Sequence, residues 1–109
     1  MAVLTVQKIL QTGLQPTFQA ADVAGDQVRV ASNHFLHIKN DGASEITVTL
    51  KSQKACNQGT VHDIPVSIPA GEERLIGFER DPGRFANSNG RAEFTYSDVT
   101  SVTVAALEV

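Results

Sequence analysis

The chain has no tryptophan, one tyrosine and five phenylalanines. So few dispersed aromatic rings make poor material for a sugar-stacking platform or for a surface on which nucleobases stack. Cysteine is nearly absent. Cys56 alone cannot staple the chain internally, which fits folding in a reducing cytosol. No apolar run approaches the roughly 20 residues that a bilayer-spanning helix needs. The opening MAVLTVQKIL is interrupted at Lys8 and leads to no small-residue cleavage site, so no signal peptide is expected. The nine Lys and Arg residues are scattered, and the formal net charge is −3. Without a basic stripe there is nothing to engage a phosphate backbone. Neither nucleic acid nor membrane is therefore expected as a partner.

What the chain does have is β-branching. Its 12 valines, nine threonines and six isoleucines make up a quarter of the 109 residues. These side chains are stiff at χ1 and suit a pleated surface. Good helix formers never gather at helical spacing over two turns. At 109 residues the length allows one domain with a real core.

The cleanest pattern is Glu45 to Lys51, where Ile46, Val48 and Leu50 alternate with Thr47, Thr49 and Lys51. Such period-2 alternation marks a half-buried strand. His34 to Lys39 reads as a strand before it, with Leu36 and Ile38 on one face. Asn40 to Ser44 tolerates positive φ and is expected to close a hairpin between the two. Asp63 to Ile68 is a strand that Pro65 assigns to an edge or a bulge. Pro69-Ala70-Gly71 turns the chain into Glu72 to Phe78, with Arg74, Ile76 and Phe78 on one face. Residues 52–60 and 79–90 read as loops, the second anchored by burial of Phe85. Arg91 to Tyr96 alternates again. Val99 to Val109 closes the chain and is long enough to invite a bulge near Ala105-Ala106. Earlier, Thr17 to Ala20 and Gln27 to Ala31 are short strand candidates either side of a turn at Asp22 to Asp26. The fold class is all-β: a single β-sandwich, jelly-roll-like or immunoglobulin-like, of about seven to nine short strands. Residues 1–16 form an extended N-terminal arm or first strand, and residues 17–109 the sandwich domain.

Chemistry is hard to find. His34 and His37 are three apart on a strand and so face opposite ways, and His62 lies in a separate loop, so no zinc site forms. Lys54 can lower the Cys56 thiol pKa if the group is exposed, but no base or oxyanion hole accompanies it. Adjacent Glu72 and Glu73 diverge on a strand and cannot share a proton. Asp22, Asp26, Asp81, Asn87 and Asn89 lie in loops and offer oxygens to Ca²⁺, yet none falls into EF-hand spacing. No phosphate-binding, dinucleotide-binding or hydrolase motif occurs. The expectation is a protein that is not an enzyme and has no cofactor or metal.

Three stretches carry a resemblance: FLHIKNDGASEITVTL (35–50), VSIPAGEERLIGF (66–78) and FTYSDVTSVTVAALEV (94–109). Together, across residues 34–109, they resemble small phage virion structural proteins encoded beside the major capsid gene. The pattern is one of strands and turns, and the Lys54-Ala55-Cys56-Asn57 loop is not part of it. The resemblance implies a head decoration (cement) protein, made in the host cytoplasm and bound on the capsid surface. Its partners would be the major capsid protein and, in a dimer or trimer, its own copies. A head–tail connector or tail component is an alternative, and a generic β-sandwich binding module another. The apolar residues of the N-terminal segment, Val3, Leu4, Val6, Ile9, Leu10 and Leu14, are the candidate capsid or partner contacts, by strand pairing with the capsid. Equally, they are an ordinary first strand.

Overall fold

The computed structural model describes residues 2–53, 63–78 and 84–109. Among them are ten strands: β1 (Ala2–Val3), β2 (Val6–Lys8), β3 (Gln19–Ala20), β4 (Asp26–Arg29), β5 (His34–Asn40), β6 (Ile46–Leu50), β7 (Ile64–Ile68), β8 (Glu73–Gly77), β9 (Arg91–Tyr96) and β10 (Val102–Glu108). They form a β-sandwich. One sheet has the order β1-β4-β9-β6-β7. The other runs β2-β10-β5-β8, with β3 also paired to β10.

The topology follows from the pairings. β3 pairs with β10, β4 with β9, β5 with β8 and β6 with β7, all antiparallel. These pairs are nested, so the chain from β3 to β10 is one long antiparallel hairpin whose tip lies between β6 and β7. Rolling that hairpin up brings β5 against β10 and β6 against β9, again antiparallel. Two four-stranded sheets made in this way are a jelly roll. An immunoglobulin-like order is excluded. The N-terminal segment is an addition: β1 joins β4 and β2 joins β10, both parallel.

Alternation selects the inner faces. On β5 the buried residues are His34, Leu36, Ile38 and Asn40; on β6 they are Ile46, Val48 and Leu50. Val28, Ile68, Ala92, Phe94, Val102, Val104 and Ala106 complete the layer between the sheets, with Phe78 and Phe85 at one side. Each large apolar side chain so buried contributes about 1.5–3 kcal/mol. The burial expected of Phe85 is present, and β7, with Pro65, is an edge strand.

Two local expectations are corrected, and a third is met with an addition. Asn40 to Ser44 is not a hairpin loop, because β5 and β6 lie in different sheets. β5 is already flanked by β8 and β10, so β6 has no free edge to join. The bend at Pro69–Gly71 is a real turn, with the Glu72 N–H donating to the Pro69 carbonyl at 3.1 Å, but it also crosses between sheets. Finally, β10 has no bulge: its register with β5 is unbroken from Val102↔Asn40 to Glu108↔His34. Ala106 faces the core. Ala105 faces outward and is still buried; its register partner His37 is packed edge-on by the Phe18 ring. Two small residues in succession let both faces close without an extra residue.

Asn40 joins the crossovers. Its side chain is fully buried. Nδ2 donates to the carbonyls of Ser44 (2.9 Å) and Ile68 (2.9 Å), with Pro69 O at 3.3 Å, and Oδ1 accepts from the Gly42 N–H at 3.1 Å. A Cβ at Gly42 would stand 3.1 Å from the Thr100 carbonyl and 3.2 Å from Asn40 Oδ1, so a side chain there would press these two groups back by a few tenths of an ångström.

Candidate interaction surface

The N-terminal segment crosses the side of the sandwich, and its residues divide by role. Leu4 sits between β1 and β2, is only 5% exposed and belongs to the core. Its N–H donates to the Gln27 carbonyl at 2.8 Å. Val6 is half-buried against the same core. Val3, by contrast, is 51% exposed, Ile9 42% and Leu10 51%. Ile9 and Leu10 follow β2 at the end of β10, where the Ile9 N–H donates to the Glu108 carbonyl at 2.8 Å. Val109, the residue after β10, is exposed too. A turn then reverses the chain at Gly13, and Leu14 is half-buried beyond it. The structure thus sets Ile9 and Leu10 in solvent at the end of β10, leaves Val3 apart on the other sheet, and commits Leu4 and Val6 to the chain's own interior.

The segment is fastened on its outer side too. The Gln7 amide donates to the Thr17 carbonyl at 2.8 Å and accepts from the Thr17 N–H at 2.9 Å. Residue 18 is thereby laid on the outer face of β5, where Lys39 Nζ stands 4.1 Å from the Phe18 ring centroid.

The titratable residues hold structure together. His34 is buried, with Nδ1 2.7 Å from the Arg29 carbonyl and Nε2 3.0 Å from Glu108 Oε2. His37 faces the opposite way, with Nε2 3.2 Å from Glu73 Oε1 but without hydrogen-bond alignment. Glu72 pairs with Arg74 at 3.2 Å. Asn87 Oδ1 accepts from the N–H groups of Asn89 and Arg91, shaping the loop before β9. Asp22 Oδ1 accepts from the Ala24 N–H. Cys56, Lys54, His62 and Asp81 lie outside the described residues. Among those described, no group of three or more His, Cys, Asp or Glu side chains is placed to hold a metal ion.

One polar pair was not legible in the sequence. Asp26, expected in a turn, begins β4 and is fully buried. Its Oδ2 accepts a 2.7 Å hydrogen bond from the Tyr96 hydroxyl and a longer one from the Asp22 N–H, while Oδ1 has no partner among the described residues. Burial pushes the carboxyl above its ordinary range, and the bond from Tyr96 opposes that rise. The phenol is pushed up by its own burial and by the carboxylate it donates to. The only advance signal was the alternation that puts Tyr96 on the Phe94 face.

At the opposite side of the sandwich, β7 and β8 are, among the described residues, the free edges of the two sheets. Between them opens a mainly apolar groove of about 450 Å³, lined by Leu50, Ile64, Val66, Ile76, Phe78 and Phe85 with Arg74 and Arg84. On the outer face of β8, Leu75 is 65% exposed. The alternation that turns Ile76 inward also turns Leu75 outward, so this exposed residue could have been found from sequence.

Comparison with known proteins finds no matching family model, no matching curated protein and no matching solved structure.

Proposed function

We propose that this chain is a phage capsid decoration protein, which binds the outer surface of the head and reinforces contacts between major capsid subunits. The observation that carries the reading is the exposed apolar strip left by the N-terminal segment, with Ile9 and Leu10 held out at the end of β2 by a backbone that is itself locked to β10. A strand fixed in this way offers apolar contact with little ordering cost on binding. The resemblance of residues 34–109 to small virion proteins supports the same role. Jelly rolls serve viral capsids, lectins and cupins alike, so the fold alone does not choose among them. Many copies on one lattice would turn modest individual contacts into resistance to rupture.

The test is co-sedimentation with mature phage capsids that lack the protein, with bound copies counted. The expected result is saturable binding at roughly hundreds of copies per particle, lost in an Ile9→Lys/Leu10→Lys variant that keeps the fold. Binding limited to a ring's worth of copies would move the assignment to a head–tail connector. Absence of binding would overturn the virion role.

A further inference from the structure

We propose that β8 is a self-pairing edge, through which two copies of this chain join antiparallel, β8 to β8, about a two-fold axis passing at Leu75. This goes beyond the virion reading and stands or falls independently of it.

Sheet edges are templates for strand addition unless they are short, interrupted or covered. Among the described residues, β1, β2 and β3 have only two or three residues each. β7 carries Pro65 within its span and so lacks a donor there. β8 has five residues and no proline, and among the described residues it pairs on one side only, with β5. Its backbone is aimed correctly. The Asn40 N–H donates to the Glu72 carbonyl at 2.9 Å. Stepping by two along an antiparallel ladder turns the groups of Arg74 and Ile76 toward β5, and those of Glu73, Leu75 and Gly77 off the edge.

Charge then selects the register. Side chains must keep to their faces, so only shifts by two residues are open. Centring the axis on Glu73 or on Arg74 sets like charges directly opposite each other, which is destabilising. Centring it on Leu75 sets Leu75 against Leu75, Glu73 against Gly77 and Arg74 against Ile76. The outward-aimed groups then exchange about six backbone hydrogen bonds. Centring on Ile76 loses about two of these. In the favoured register the exposed Leu75 side chains meet across the axis, and no Cβ at Gly77 crowds the opposing Glu73. The same patch serves both copies, which is the form a two-fold interface takes. One strand pair is a small interface, so the dimer depends on concentration.

Sedimentation equilibrium up to about 1 mM protein, the range where contacts of this size register, tests the proposal. The expected mass rises from monomer toward dimer for the wild type. Leu75→Lys, which opposes two charges on the axis, weakens dimerisation by at least about ten-fold. Val23→Lys, on an exposed turn, leaves it unchanged. Register is read in a Cys56→Ser background. Leu75→Cys cross-links between copies, because hydrogen-bonded partners lie about 5.5 Å apart at Cα, whereas Glu73→Cys does not. A wild type that stays monomeric throughout, or a dimer that survives Leu75→Lys, would overturn the proposal.

Discussion

Asn40 offers the sharpest test of how this sandwich is held. Replacing it with alanine removes a fully buried amide whose Nδ2 serves the Ser44 and Ile68 carbonyls and whose Oδ1 serves the Gly42 N–H. Each buried group left without a partner costs about 1–3 kcal/mol. Ser44 is near solvent and recovers part of its share, so the expected loss is about 3–5 kcal/mol. A domain of this size has only about 5–15 kcal/mol in total. Urea unfolding should show a lower midpoint at unchanged slope, and melting should fall by more than about 12 °C. Asn40→Asp separates polarity from packing because it conserves volume. One oxygen still accepts from Gly42, but the other faces carbonyls that can only accept. At pH 7 the aspartate variant should therefore be less stable than the alanine variant. As pH falls toward about 4 its carboxyl takes up a proton more readily folded than unfolded, and stability returns. A loss below about 1 kcal/mol for Asn40→Ala, or an Asn40→Asp protein as stable as wild type at pH 7, would refute the reasoning.

The Asp26 carboxyl is raised by burial, so its favourable contribution is complete below the unfolded value near about 3.9 and is lost as pH rises through the folded value. Relative to Asp26→Asn, the wild type should gain stability between about pH 7 and pH 4 in parallel denaturation series; a pH-independent difference would refute this. Tyr96→Phe deletes the donor to that carboxylate and should cost about 1.5–3 kcal/mol at pH 7, and less at pH 4, measured the same way. Leu4→Ala should cost about 2–4 kcal/mol in urea unfolding, whereas Ile9→Lys/Leu10→Lys should stay within about 0.5 kcal/mol of wild type.

Much of the fold was legible because the inner faces of β5, β6 and β9 are chosen by strict alternation, and a helix would scatter those residues around its circumference. Pro65 marked an edge for a reason local to itself, its missing donor. Strand partnership was not legible. Asn40-Asp41-Gly42 has the composition of a hairpin turn, but whether the next strand pairs with the last depends on which edges are already taken, and β8 and β10 arrive from further along the chain. Asp26 departs from the turn its sequence suggests for the same reason. An aspartate near a glycine has turn chemistry, and only the long-range approach of Tyr96 makes a buried strand position tenable. Among the candidate contacts, hydrophobicity alone could not separate Leu4, which faces the core, from Ile9 and Leu10, which face solvent.

That separation decides how the N-terminal segment can be tested. Residues 2–8 pair with both sheets and insert Leu4 between them, so they close this side of the sandwich as an ordinary first strand would. Ile9 and Leu10 follow β2 into solvent. Deleting residues 2–10 would therefore remove core, ladder and exposed strip at once. Loss of binding after such a deletion would say nothing about the surface, because unfolding would produce it too. Point substitutions avoid the confusion. Leu4→Ala lowers stability while leaving the strip in place, and Ile9→Lys/Leu10→Lys alters the strip while leaving the core intact. If capsid binding follows the second variant and not the first, the segment acts through its exposed end. If binding follows stability instead, the contact lies elsewhere on the sandwich.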